Sequence, residues 1–148
     1  MRTAVLSAEE LERRLSAEFS EAFHAQSGLS IDEVWHGGCR VILDFDAKTL
    51  RPGGTISGPT LMMLADVTMY VAVLASIGWE PLAVTTSLNI NFLRKPAPGK
   101  ALVAECRLLK LGKRLAVGEV TIRSENGEEA VAHATLTYSI PPGNRGLE

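Results

Sequence analysis

Residues 61–77 form a run of 17 nearly all apolar side chains with one charge in it, Asp66. No other charged residue lies between Thr55 and Trp79. A helix that is apolar on every side has to be enclosed, by lipid or by the rest of its own chain. Seventeen residues is the short limit for a bilayer span, and a carboxylate near the middle is costly in hydrocarbon. Five amphipathic strand candidates surround the run, so it reads as a helix buried in a protein core, with no membrane as partner.

Those strands follow from a period of two. Cys39, Val41, Leu43 and Phe45 alternate with Arg40, Ile42, Asp44 and Asp46. Val84, Thr86, Leu88, Ile90 and Phe92 face one way, and Thr85, Ser87, Asn89 and Asn91 the other. Three further strands carry Leu102–Leu108, Ala116–Ile122 and Ala130–Tyr138 in the same alternation, with hairpin turns at Gly112-Lys113 and Asn126-Gly127. Small residues at Ala116, Gly118, Ala130, Ala132 and Ala134 would let strands approach the helix closely. Pro52-Gly53-Gly54 makes residues 50–58 a loop. Upstream, Ser7 and Glu10 form a capping box, and Leu11, Leu15, Phe19 (or Ala22) and Phe23 recur at helical spacing over residues 7–24. Gly28 ends that segment, and His36-Gly37-Gly38 is a turn. The expected order is helix, strand, long buried helix, four strands. The fold class is α+β, an antiparallel sheet of five to six strands wrapped around one helix. The domain division is an N-terminal amphipathic helix over 1–29, the core domain over 30–140 and a loose tail over 141–148.

Composition removes several function classes. The net charge is −2, and the basic residues cluster no further than the short pairs Arg13-Arg14, Arg94-Lys95 and Lys113-Arg114, unlike the clustered Lys and Arg of a nucleic-acid-binding surface. Cys39 and Cys106 are too few for a disulfide framework or a metal site and read as buried, reduced thiols. The three histidines show no metal-ligand spacing, so no metal or redox cofactor is expected. Met1 to Glu10 lack an apolar core and carry acids, which points to a cytoplasmic protein without a secretory leader.

Two features of the apolar helix carry chemistry. Burying the Asp66 carboxylate is costly unless hydroxyls such as Thr68 or Thr86, or an arginine, meet it. At the helix start, Ser57 can cap and Pro59 suits the first turn. Gly58, lacking a side chain, leaves its N–H open to a ligand at the positive end of the helix dipole, where it can polarise a carbonyl oxygen. Asp66 lies eight residues beyond Gly58, about 12 Å along the axis. One helix therefore cannot polarise a carbonyl and attack the same carbon. Two antiparallel copies related by a two-fold can, which predicts a homodimer with composite sites.

The stretch from Gly54 to Asp66, containing Ser57-Gly58-Pro59 and Leu64-Ala65-Asp66, followed by Phe92-Leu93-Arg94-Lys95-Pro96, resembles the hotdog-fold thioesterases of the phenylacetyl-CoA (PaaI) and 4-hydroxybenzoyl-CoA type. The resemblance implies the fold read above, a dimer that often pairs again as a dimer of dimers, and an acyl-CoA thioester as substrate, with coenzyme A part of that substrate. It implies that Asp66 is the catalytic carboxylate, as nucleophile or as base for water, and that Gly58 donates to the thioester carbonyl. Thr85, Thr86 and Ser87 become water or acyl contacts. Arg94, Lys95, Lys113 and Arg114 become contacts for the CoA phosphates. The family's His-Gly-Gly at the helix start is replaced here by Ser57-Gly58-Pro59, and Arg51 stands where Asn or Gln is usual, able to pair with Asp66 or to bind a substrate carboxylate. The expected activity is acyl-CoA thioester hydrolysis. The alternative is a non-catalytic acyl-CoA-binding module. A hotdog dehydratase would want a histidine beside the acid, and none occurs between Gly37 and His133.

Overall fold

Ser57 starts the long helix as its capping residue: its Oγ accepts the Thr60 N–H at 3.4 Å, and Pro59 occupies the first turn. The helix, α2, spans Gly58–Ile77. It stops at Gly78, whose φ of 107° lies in the region that favours glycine. The computed structural model describes residues 3–19, 23, 27–44, 50–51 and 55–142, with the side chains of residues 50, 51 and 55 outside that description. From Leu64 to Ser76 every side chain of α2 except Asp66 is buried. The helix is long and apolar enough to cross a membrane, yet 72% of its most apolar window is covered by the rest of the fold, which makes it a core helix.

The cover is one antiparallel sheet of six strands: β1 (Leu29–Trp35), β2 (Gly38–Leu43), β5 (Val84–Phe92), β6 (Leu102–Leu111), β7 (Leu115–Ser124) and β8 (Ala130–Ser139). Their order is β1-β2-β6-β7-β8-β5. Val41, Leu102, Ala104, Val120, Ile122, Ala134 and Leu136 turn inward onto α2. Gly118 brings β7 close to the helix, since a Cβ there would fall 2.7 Å from the Met69 Sδ. Cys39 and Cys106 face each other across β2 and β6 as buried free thiols. This is the expected α+β hotdog arrangement, a sheet wrapped around one helix with a further helix, α1 (Ala8–Glu18), at the N-terminal side.

Four details differ from the sequence reading. The strand β1 precedes the first strand expected, because a bulge between Ile31 and Glu33 breaks its alternation. Residues 50–58 are not all loop: β3 (Leu50–Arg51) pairs with β4 (Thr55–Ile56). The helix α1 ends at Glu18, with Phe19 at φ −133° leaving the helical region; residues 20–22 and 24 lie outside the described residues, as does the tail beyond residue 142. Ala130 is half-buried and takes no part in the core, whereas Ala116, Ala132 and Ala134 do.

Candidate functional site

Asp66, on the third turn of α2, is half-buried and lines a cavity of about 630 Å³ between α1, α2 and the start of β5. Two hydroxyls replace the water its carboxylate loses. Thr85 Oγ1 donates to Asp66 Oδ1 at 2.5 Å. The Tyr138 hydroxyl lies 2.8 Å from the same oxygen and 3.0 Å from the Asp66 carbonyl oxygen. Among the described residues no hydrogen bond reaches Oδ2. One carboxylate oxygen is thus fixed by two hydroxyls. Burial first, and the Asp66 charge second, hold the Tyr138 phenol well above its ordinary pKa, so it remains a proton donor.

The partners differ from those expected, and the reason is a bulge. Between Thr85 and Ser87 the register of β5 against β8 slips by one residue. Thr85 pairs with Tyr138 and Leu88 with Leu136, so Thr85 joins the helix-facing side with Leu88 and Ile90. Strict alternation placed Thr86 there instead. Thr86 is the extra residue, its Oγ1 donating to the Thr137 carbonyl at 3.2 Å, and Ser87 pairs with Thr137 on the outer side. Thr68 is likewise occupied, donating to the Leu64 carbonyl at 2.6 Å. Tyr138 was missed as a site residue: its alternation marks it as inward, but its reach to a helix residue 72 positions away is a matter of tertiary packing.

Gly58 lies at the N-terminal end of α2, in a second cavity with Ile56, Pro59, Leu61, Met62, Phe92, Leu93, Arg94, Lys95 and Pro96. The Phe92 ring covers it closely, as a Cβ on Gly58 would come within 3.2 Å of the ring. Ser57 is the cap of this end, with its Oγ also 2.9 Å from Thr60 Oγ1. The Asp66 cavity and the Gly58 cavity share no lining residue, so within one chain the two expected catalytic groups are apart.

The basic residues divide between the two ends. Arg94 and Lys95 line the Gly58 cavity, with Arg94 paired to Glu129 at 2.5 Å and donating to the Ala130 carbonyl at 2.9 Å. Lys113 and Arg114 sit in the β6–β7 turn, where Arg114 donates to the Ile140 carbonyl at 3.3 Å, two residues from Tyr138. Arg51 belongs to β3, but its side chain is outside the described residues. His36 and Gly37 make the β1–β2 turn. His133 contacts Glu119 at 2.9 Å, and together with Arg107 it draws the Glu119 carboxyl below the usual range. Among the described residues no three His, Cys, Asp or Glu side chains converge as a metal site would require.

The model of the thioesterase superfamily matches residues 53–131, which include both Gly58 and Asp66. A Pseudomonas aeruginosa protein named "Putative esterase PA0474" is 34% identical over 101 residues, 68% of this chain and 74% of that protein. The solved structure of a "putative thioesterase" (TM1040_1390) from Silicibacter sp. TM1040 matches with a TM-score of 0.85 and 45% identity, covering 94% of each chain. The structure of smu.793 from Streptococcus mutans UA159, bound to acetyl CoA, shares the fold with a TM-score of 0.70 at 22% identity, over 80% of this chain and 92% of that one.

Proposed function

The chain belongs to the thioesterase superfamily, and from that premise we propose that it hydrolyses an acyl-CoA thioester at a site shared by two copies of the chain. The observation that carries the reading is the Asp66 carboxylate, held at Oδ1 by Thr85 and Tyr138 in the wall of a cavity. An acyl-CoA as ligand is supported by the acetyl CoA bound to smu.793.

In the proposed reaction the acyl group occupies the Asp66 cavity and the thioester carbonyl points at the Gly58 N–H of the second copy. Among the described residues that N–H has no hydrogen-bond partner, as the first amides of a helix generally lack one. Asp66 Oδ2 takes a proton from water as the water oxygen bonds to the carbonyl carbon. The negative charge moves to the carbonyl oxygen, where the helix amide stabilises it. Collapse breaks the carbon–sulfur bond, and the proton passes to the departing thiolate, giving a carboxylic acid and free CoA thiol. Direct attack by Oδ2 gives the same products through a mixed anhydride that water then cleaves. Lys95 and Arg94, beside Gly58, and Lys113 and Arg114, beside the Asp66 end, are proposed to meet the CoA phosphates. Coenzyme A enters as part of the substrate, and the reaction as drawn uses no other cofactor.

The second copy is supported by the edge strand β5. Among the described residues it pairs only with β8, and it leaves Val84, Phe92 and the following Leu93 more than half exposed. A nine-residue open edge with apolar side chains is a surface that pairs with another strand. Antiparallel pairing of β5 with its copy would bring Asp66 of one chain toward Gly58 of the other. We further propose a reducing, cytoplasmic setting, which suits two buried thiols that burial keeps protonated.

The test is thiol release from a panel of short, medium and aromatic acyl-CoAs, with Asp66→Asn alongside. Release that falls by at least about a hundredfold in the variant supports the assignment. Tight acyl-CoA binding with no thiol from any member would replace it with the non-catalytic binding module.

A further inference from the structure

The cavity beside Asp66 is walled by aromatic rings and rimmed by acid. Phe19 and Tyr70 meet edge to face with centroids 5.9 Å apart, and Tyr70 and Tyr138 stack at 6.1 Å. This wall runs from the end of α1 to the Asp66 carboxylate. Glu18 lines the cavity at the Phe19 end, and no Lys, Arg or His is among the described residues lining it. Glu80 does not line the cavity, although its neighbours Trp79 and Pro81 do. Arg14 does not line the cavity: it lies over the Trp79 ring at 5.4 Å and pairs with Glu10 at 3.5 Å. The Glu18 charge is felt inside the wall, where it adds to burial in raising the Tyr70 phenol.

We propose that Glu18 is a charge filter that makes this a site for neutral acyl groups and rejects acyl groups ending in a carboxylate. The inference rests on the thioesterase reading above. With the carbonyl at Asp66, an extended acyl chain follows the aromatic wall toward Glu18. A neutral end finds rings there, whereas a terminal carboxylate finds a like charge and no cation among the described lining residues. Selectivity of this kind comes from repelling the wrong ligand.

The measurement compares hexanoyl-CoA with adipoyl-CoA, which has the same six-carbon chain with a terminal carboxylate. The ratio of kcat/KM for adipoyl over hexanoyl is expected to rise about tenfold in Glu18→Gln, and further in Glu18→Lys, as expected for a pair of charges at a partly exposed distance of several ångströms. In the wild type the same ratio should rise with added salt. Binding of the two non-hydrolysable thioether analogues, followed by Trp79 fluorescence, gives a second readout that does not depend on turnover. A ratio unmoved by both variants, in turnover and in binding, overturns the filter. Absence of thiol from every substrate would overturn the thioesterase reading alone, with the analogue affinities still deciding the role of Glu18.

Discussion

A side chain that folding encloses is held in the protonation state its surroundings permit, and here that state is neutral for four groups in and around α2. Burial is the first cause of the upward shift at Cys39, Cys106, Tyr70 and Tyr138, with Cys106 pushed up to about 12. In the unfolded chain these thiols and phenols lose their protons from about pH 9 to 10. A folded pKa above the unfolded one means that the native state binds more protons in this window, so stability falls as pH rises. Thermal melts are therefore expected to hold between pH 7 and 8 and to decline steadily from pH 9 to 11, and a flat profile there would contradict the burial of these groups. Asp66 was legible as the candidate reactive side chain because it is the one charge in an apolar run. Its hydroxyl partners were not, because one depends on a bulge that moves Thr85 to the inner face and the other on a strand far along the chain.

Strands with one buried face announce themselves, which is why β2 and β5 to β8 were readable from periodicity, whereas α2 was readable as an apolar run that has to be enclosed. The strand β1 escaped because a bulge between Ile31 and Glu33 breaks its alternation, and both Asp32 and Glu33 pair with Arg40 of β2. The pair β3 and β4 has two residues a side, too few for any period. The approach of β7 to α2 was also legible, through Gly118. A methyl group there would sit 2.7 Å from Met69 Sδ and 3.1 Å from Leu108 Cδ2, and Met69 is fully buried. Gly118→Ala is expected to push the sheet from the helix at a cost of roughly 1–3 kcal/mol. For a chain of this length each kcal/mol lowers Tm by about 2–4 °C, which a thermal melt resolves. An unchanged Tm would mean that Met69 repacks freely and that the contact does not set the helix–sheet distance.

At the scale of the whole molecule the question is how many chains make one site. Gly58 and Asp66 lie about 12 Å apart along one axis and in separate cavities. A pair of inactive variants separates the two possibilities. Asp66→Asn removes the carboxylate, and Gly58→Val places a branched side chain over the amide that is proposed to receive the oxyanion, a loss of about 10²–10³ if that donor is denied. In a mixed dimer the Gly58→Val chain still supplies Asp66 and the Asp66→Asn chain still supplies Gly58. Sites built across the two-fold therefore include one intact site per mixed dimer and one doubly defective site. Equal mixing by dissociation and reassociation makes about half the dimers mixed, so activity should return to about a quarter of the wild-type level per chain. A site contained in one chain would gain nothing, because each chain carries a lesion of its own. Thiol release after co-refolding the two variants, set against each refolded alone, decides between them.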